Sequence, residues 1–155
     1  MFTREIGCVI STDNWPLYTI YGESSIVYFP DEFIWDVHIN HPCEIMTLAH
    51  THPPYCISIS NEDYTTLKAW SYAFSPKHIS MDVISENKDT EKGYSHRRHW
   101  FTLQTLEQWI SAGKKGERTM ELHYIDIDEK LFWAVHMLNM SYTHSFISEK
   151  GMVLK

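Results

Sequence analysis

The apolar residues of this chain switch between a period of about two and a period of about 3.6, the signatures of strand and helix. Ile6 to Ser11 (IGCVIS) is a short apolar run that predicts a buried strand, and Tyr18 to Tyr21 predicts its neighbour. Thr12, Asp13, Asn14 and Pro16 supply turn chemistry between them. Ser25 to Phe29 is a further strand candidate on its Ile, Val and aromatic content. Pro30-Asp31 reads as a helix start; Phe33, Ile34 and Val37 then share one helical face until Pro42 ends the element. Glu44 to Thr51 predicts a buried strand that runs straight into His50-Thr51-His52-Pro53-Pro54.

Ser60 and Asp63 have the spacing of a helix capping box, and Leu67, Trp70 and Phe74 recur at helical intervals until Ser75-Pro76. From His78 to Ile84 the chain alternates, Ile79, Met81 and Val83 against Ser80 and Asp82, which predicts a half-buried strand. The polar stretch Ser85 to Ser95 reads as a loop or long hairpin connection, with His99 to Leu103 as the partner strand. Thr105 to Ile110 reads as a short helix, Gly113 to Arg118 as a basic turn, and Met120, Leu122 and Tyr124 as a strand. Leu131, Phe132, Val135 and Leu138 share a helical face. Interleaved strands and helices make the class α/β or α+β; periodicity does not separate the two.

A length of 155 residues is one domain's worth and too short for a TIM barrel. Hydrophobic and charged shares of 43% and 21% belong to a chain that folds rather than one that stays disordered. A net charge of −7 leaves no electrostatic footprint for nucleic acid or an anionic membrane. No apolar run approaches the roughly 20 residues of a bilayer span. Arg4 and Glu5 interrupt the N-terminal segment where a signal peptide would be apolar. Cys8, Cys43 and Cys56 show no CxxC spacing and fit a reducing compartment. Histidine stands out, with 10 against 6 Gly and 6 Pro.

Histidines at i and i+2 of a strand project from the same face, and His50 and His52 stand at the C-terminal end of theirs. With Ser60 and Asp63 they form an HxH-x7-SxxD set. Two imidazoles and one carboxylate make a three-ligand zinc site whose fourth position is left to water, the arrangement of catalytic zinc. A helix N-terminus favours the Asp63 carboxylate, and Pro53 and Pro54 stiffen the turn leaving the strand. In a chain this rich in histidine an HxH pair also arises by chance. Pro53, Ser60 and Asp63 are what single this pair out. Ser60 and Asp63 also read as a plain capping box, and Glu5 as a solvated residue at a strand start.

The set resembles the motif of the JAMM/MPN zinc metalloprotease family, with His50, His52 and its following Pro53, Ser60 and Asp63 at the family's spacing. The resemblance runs from about Glu5 to about Ile84. It implies a single JAMM/MPN-like domain over residues 1–155, with about 1–84 as the family core and about 104–155 as an unassigned C-terminal strand-helix extension. The fold implied is α/β, a cytidine-deaminase-like mixed central sheet flanked by helices. His50, His52 and Asp63 would hold Zn2+, Ser60 would stabilise the tetrahedral intermediate, and an upstream glutamate would be general base on the zinc-bound water. Glu5 is the expected glutamate, because it directly precedes the first apolar strand at about the family's separation from His50. Glu23, in YGESS, is the rival. Gly7-Cys8 reverses the family's usual Cys-Gly order after the glutamate.

The implied activity is hydrolysis of an amide bond after the C-terminal Gly of a ubiquitin-like protein. No ubiquitin-binding insert is recognisable, which points to a cytoplasmic enzyme of prokaryotic or phage type. Cell-wall or phage tail peptides are the alternative substrates. A catalytically silent scaffold domain, working by dimerisation or partner docking, is the alternative class. A cupin-like module is opposed by the Ser60-initiated helix and the missing short-range Glu. Whether a homodimer or partner subunit is needed stays open. Substrate choice would be built at Ser85 to Ser95 and from Gly113 onward. Cys56 lies between His52 and Ser60, so its sulfur could approach the metal. The other histidines read as ordinary: His38 and His41 at a helix end, His96 and His99 around Arg97-Arg98 in a solvated patch, His123 on a strand's polar face, and His136 and His144 toward the C-terminus. Trp70, Phe74, Phe132 and Trp133 fall at core spacing.

Overall fold

The apolar run Ile6–Ile10 forms strand β1, and it pairs on both sides. On one side it meets β2 (Pro16–Tyr21) and on the other β3 (Ile45–His52), both antiparallel. The computed structural model that shows this describes residues 5–11, 14–22, 27–41, 45–74, 78–142 and 153–154. Between β2 and β3 lies helix α1 (Asp31–Asn40), which starts after Pro30 as the sequence predicts. Helix α2 (Asn61–Phe74) then carries the chain to β4 (His78–Glu86), which runs parallel to β3. β5 (Tyr94–Leu103) and β6 (Met120–Asp126) follow antiparallel, separated by the short helix α3 (Leu106–Ser111) with its Thr105–Gln108 capping box. After α4 (Phe132–Tyr142), the two residues of β7 (Val153–Leu154) close the far edge. The sheet order is β6-β5-β4-β3-β1-β2-β7. This is a mixed α/β sheet flanked by helices. Among the described residues no helix is long and apolar enough to cross a membrane.

The pleat sorts the core into two layers. Val9, Leu48, Ile79 and Met81 face α1 and α2, where Ile34, Val37, Leu67 and Phe74 close one cluster. Ile6, Cys8, Ala49 and Ile84 face the opposite side, where Trp133, Ala134, Met137 and Leu138 of α4 close the second. Coverage on both faces corrects the half-buried reading of His78–Ile84. Ser80 and Asp82 are as buried as Ile79 and Met81, because β4 is central and both helical layers pack on it.

Three other expectations change. Residues 27–29 of the Ser25–Phe29 candidate lie in no strand, and Ser25 and Ile26 fall outside the described residues. Val27 and Phe29 instead cover Gly7, where a Cβ would come within 2.8 Å of Val27 Cγ2 and 3.2 Å of the Phe29 ring. Gly7→Ala is therefore expected to cost about 1–3 kcal/mol by overpacking, read from the midpoint of urea unfolding at constant slope. Second, the Ser85–Ser95 connection shrinks to residues 87–93, because β4 and β5 extend toward each other and pair from Ser80↔Trp100 to Glu86↔Tyr94. Asn87 Oδ1 accepts the Asp89 N–H, and Gly93 takes a positive φ of 85° to make that turn. Third, α4 buries the face of Trp133, Ala134, Met137 and Leu138 and leaves Phe132 exposed, one position off the expected stripe.

Candidate metal centre

β3 delivers both histidines. Its alternation places Met46, Leu48, His50 and His52 on the α2 face, and Ala49 and Thr51 on the α4 face. His50 and His52 are buried at the strand's C-terminal end. The turn after them is pinned from β4: the Ser85 hydroxyl donates to Pro53 O at 2.6 Å and accepts the Cys56 N–H at 3.1 Å, while Tyr55 N–H donates to Glu86 O. Tyr55 sits at φ 61°, the left-handed region a non-glycine residue enters only when its surroundings hold it there.

α2 delivers the carboxylate. Ser60 caps the helix by accepting the Asp63 N–H at 3.0 Å, and Asp63 Oδ2 accepts the Ser60 N–H at 3.4 Å. The capping box of the sequence is therefore present. The same Asp63 Oδ2 lies 3.0 Å from His50 Nε2 and 3.3 Å from His52 Nε2, and the two Nε2 atoms are 2.8 Å apart. Three donor atoms thus converge on one point. A tetrahedral metal with bonds of about 2.0–2.1 Å spaces its ligand atoms about 3.3 Å apart, so a few tenths of an ångström of expansion would admit one. The donor set of two imidazoles and one carboxylate suits zinc. With both Nε2 atoms facing inward, His50 Nδ1 is buried with no hydrogen-bond partner among the described residues, and His52 Nδ1 is 3.8 Å from Cys56 Sγ. Cys56 thus approaches the back of the His52 ring rather than the point where the two Nε2 atoms and Asp63 Oδ2 meet.

Glu5, the residue before β1, completes the group. It is buried, and its carboxylate and the two imidazoles offer ligand atoms all within 4.8 Å of one another. Burial is the main cause that pushes its carboxyl up to about 7; His52 opposes the rise and Asp63 adds to it. For Asp63, burial also acts upward, but hydrogen bonds with His50, His52 and Ser60 and the field of His50 outweigh it, holding the group well below the usual carboxylate range. Two carboxyls beside one pair of imidazoles are thereby shifted in opposite directions, Glu5 up and Asp63 down. Glu23 lies outside the described residues.

Sequence reasoning gathered Glu5, His50, His52, Ser60 and Asp63, and these do meet around the end of β3. It misread His96 and His99. Both are buried, not solvated: His96 Nε2 is 2.6 Å from Asp82 Oδ2, and His99 Nδ1 is 3.3 Å from Met81 O. Arg98 forks onto Asp82 at 2.9 and 3.0 Å, and Arg97 onto Asp126 at 2.6 and 3.2 Å. The sequence gives Thr51 a place in the strand but no part in the site. It stands between the two histidines and points to the other face, where its hydroxyl accepts the Ile6 N–H. No protein-family model matches the chain, and no curated protein matches it.

Proposed function

We propose that the chain is a zinc-dependent hydrolase of amide bonds, of the JAMM/MPN type. The observation that carries this reading is the convergence of His50 Nε2, His52 Nε2 and Asp63 Oδ2 within 3.3 Å of one another, with a raised Glu5 carboxyl beside them. The architecture is consistent with the family's cytidine-deaminase-like sheet: a hairpin partner on β1, a parallel β3–β4 pair crossing through α2, and ligands at the end of β3 and the start of α2.

In this reading His50, His52 and Asp63 would hold the metal, and Glu5 beside the two imidazoles would act as the base. A bound zinc supplies Lewis acidity and a water whose pKa is lowered toward about 7. Glu5 takes the water proton as the water oxygen attacks the carbonyl carbon, then passes it to the departing amine nitrogen when the C–N bond breaks. Ser60 uses its oxygen lone pair for the Asp63 N–H, which leaves the hydroxyl proton to donate to the developing oxyanion. Such a contact is typically worth about 3–4 kcal/mol. The substrate proposed is the peptide or isopeptide bond after the C-terminal Gly of a ubiquitin-like protein, and the compartment a reducing one.

The test is metal analysis of the purified chain together with cleavage of a panel of ubiquitin-like fusions and conjugates, before and after chelation. One equivalent of zinc, and hydrolysis that chelation abolishes and zinc restores, is the expected result. A folded chain that cannot be loaded with zinc sinks the enzyme reading. Zinc without hydrolysis of the panel or of cell-wall-type peptides moves the chain to the silent-scaffold class.

A further inference from the structure

The ladder between β1 and β3 stops one residue short of the site. Its last registered pair is Gly7↔His50, and beyond it the Ile6 N–H turns to a side chain, donating to Thr51 Oγ1 at 2.9 Å. That oxygen is buried, and it accepts a second hydrogen bond, from the Ser141 hydroxyl of α4 at 3.1 Å. Both lone pairs of the Thr51 hydroxyl are thereby used. On the other side of the same peptide, Glu5 C=O accepts the Gly22 N–H at 2.9 Å. The backbone that carries Glu5 is held from both flanks, and one of those holds comes through the sheet from α4.

We propose that Thr51, itself held by Ser141, is the positioning residue that sets Glu5 against His50 and His52. It touches neither the ligand atoms nor any reacting group. Alternation explains how one tripeptide does both jobs: His50 and His52 face the metal, and the residue between them faces away and reaches Ile6. A backbone ladder continued through Ile6 would fix the strand alone. The side-chain link adds a dependence on α4 and so gives the C-terminal helix a part in the site's geometry. The inference rests on the reading of Glu5 as the base.

The test uses metal alone. Wild type, Glu5→Gln, Thr51→Val and Thr51→Ser are loaded with Zn2+ for stoichiometry and with Co2+ for visible absorption across pH. Partners of metal ligands cost about 10–100-fold in metal affinity when removed. No such loss is expected for Thr51→Val, because its hydroxyl is committed to Ile6 and Ser141. Its Co2+ absorption–pH profile is expected to move at least half-way from wild type to Glu5→Gln, and Thr51→Ser to stay with wild type. A Thr51→Val profile that overlays wild type overturns the inference. A Glu5→Gln profile that overlays wild type sinks the reading of Glu5 itself, a separate failure that takes the inference with it. Should Thr51→Val not fold, amide exchange in wild type still decides. The Ile6 N–H is expected to be protected as strongly as those of central β1, and exchange at the rate of an unpaired amide overturns the proposal.

Discussion

Glu5→Gln is expected to keep its zinc and lose about 10²–10⁴-fold in hydrolysis, the span a positioned general base contributes. The substitution keeps the side chain's shape, but it exchanges one carboxyl oxygen for a donor NH2 and removes the ability to take a proton. The proposed ligands are His50, His52 and Asp63, so on that reading metal stoichiometry should hold without Glu5. Burial lifts the Glu5 carboxyl to about 7, close to the operating range of a base at neutral pH. Proximity matters as much: the residue's ligand atom lies within 4.8 Å of both imidazole nitrogens, near enough to meet a water held between them. His52→Ala is the contrast, because it should lose metal and activity together. The measurement is zinc content beside single-turnover cleavage of the best substrate from the panel. Cleavage by Glu5→Gln at the wild-type rate removes Glu5 from the chemistry. Loss of zinc in that variant makes Glu5 a ligand instead.

The site was more legible in the sequence than the sheet around it, for a physical reason. The candidate site is local in its constraints: i and i+2 on one strand, then a capping box at the next helix start, bring three side chains together within fourteen residues, His50 to Asp63. Each of those rules depends on backbone geometry, which repeats from protein to protein. The errors fall where tertiary partners override local polarity. His96, Arg97 and Arg98 look like a solvated run, yet they extend β5 by five residues beyond the expected start at His99. They can do so because Asp82 and Asp126 on the flanking strands neutralise them, and no reading of residues 94–99 alone contains those aspartates. Phe132 misleads in the opposite direction: an aromatic at core spacing is left exposed because Trp133 occupies the contact with His96 and the sheet. The Thr51–Ser141 link spans ninety residues and has no sequence signal beyond the alternation that turns Thr51 away from its neighbours.

The polar cluster under α4 leads to the second large effect. Asp82→Asn is expected to destabilise the fold by about 3–5 kcal/mol, the cost of removing one partner from a buried ionic set. Asp82 and His96 have no solvent exposure in their side chains, and Arg98 keeps 28%. The carboxylate accepts three hydrogen bonds, from Arg98 Nε and Nη2 and from His96 Nε2. An amide offers one acceptor and one donor in the same place. Whichever way it turns, an N–H group meets another N–H group, and the Arg98 charge is left without its counter-charge on the strand beside it. Among the described residues His96 has no spare partner to compensate, since its buried Nδ1 makes no hydrogen bond there. Replacing all three together with apolar residues of similar volume (Asp82→Leu, His96→Phe, Arg98→Met) should cost much less than the single change, because no charge is then stranded. Urea unfolding of the two variants against wild type, at matched slopes, measures both. A single variant that loses less than the triple one would mean that the cluster is held by packing of Trp133 and Ile84 rather than by its charges. Because Asp82 faces α4 and His50 faces α2, zinc stoichiometry measured under native conditions should be the same in all folded variants. That separates the stability of the sheet from the chemistry at its edge.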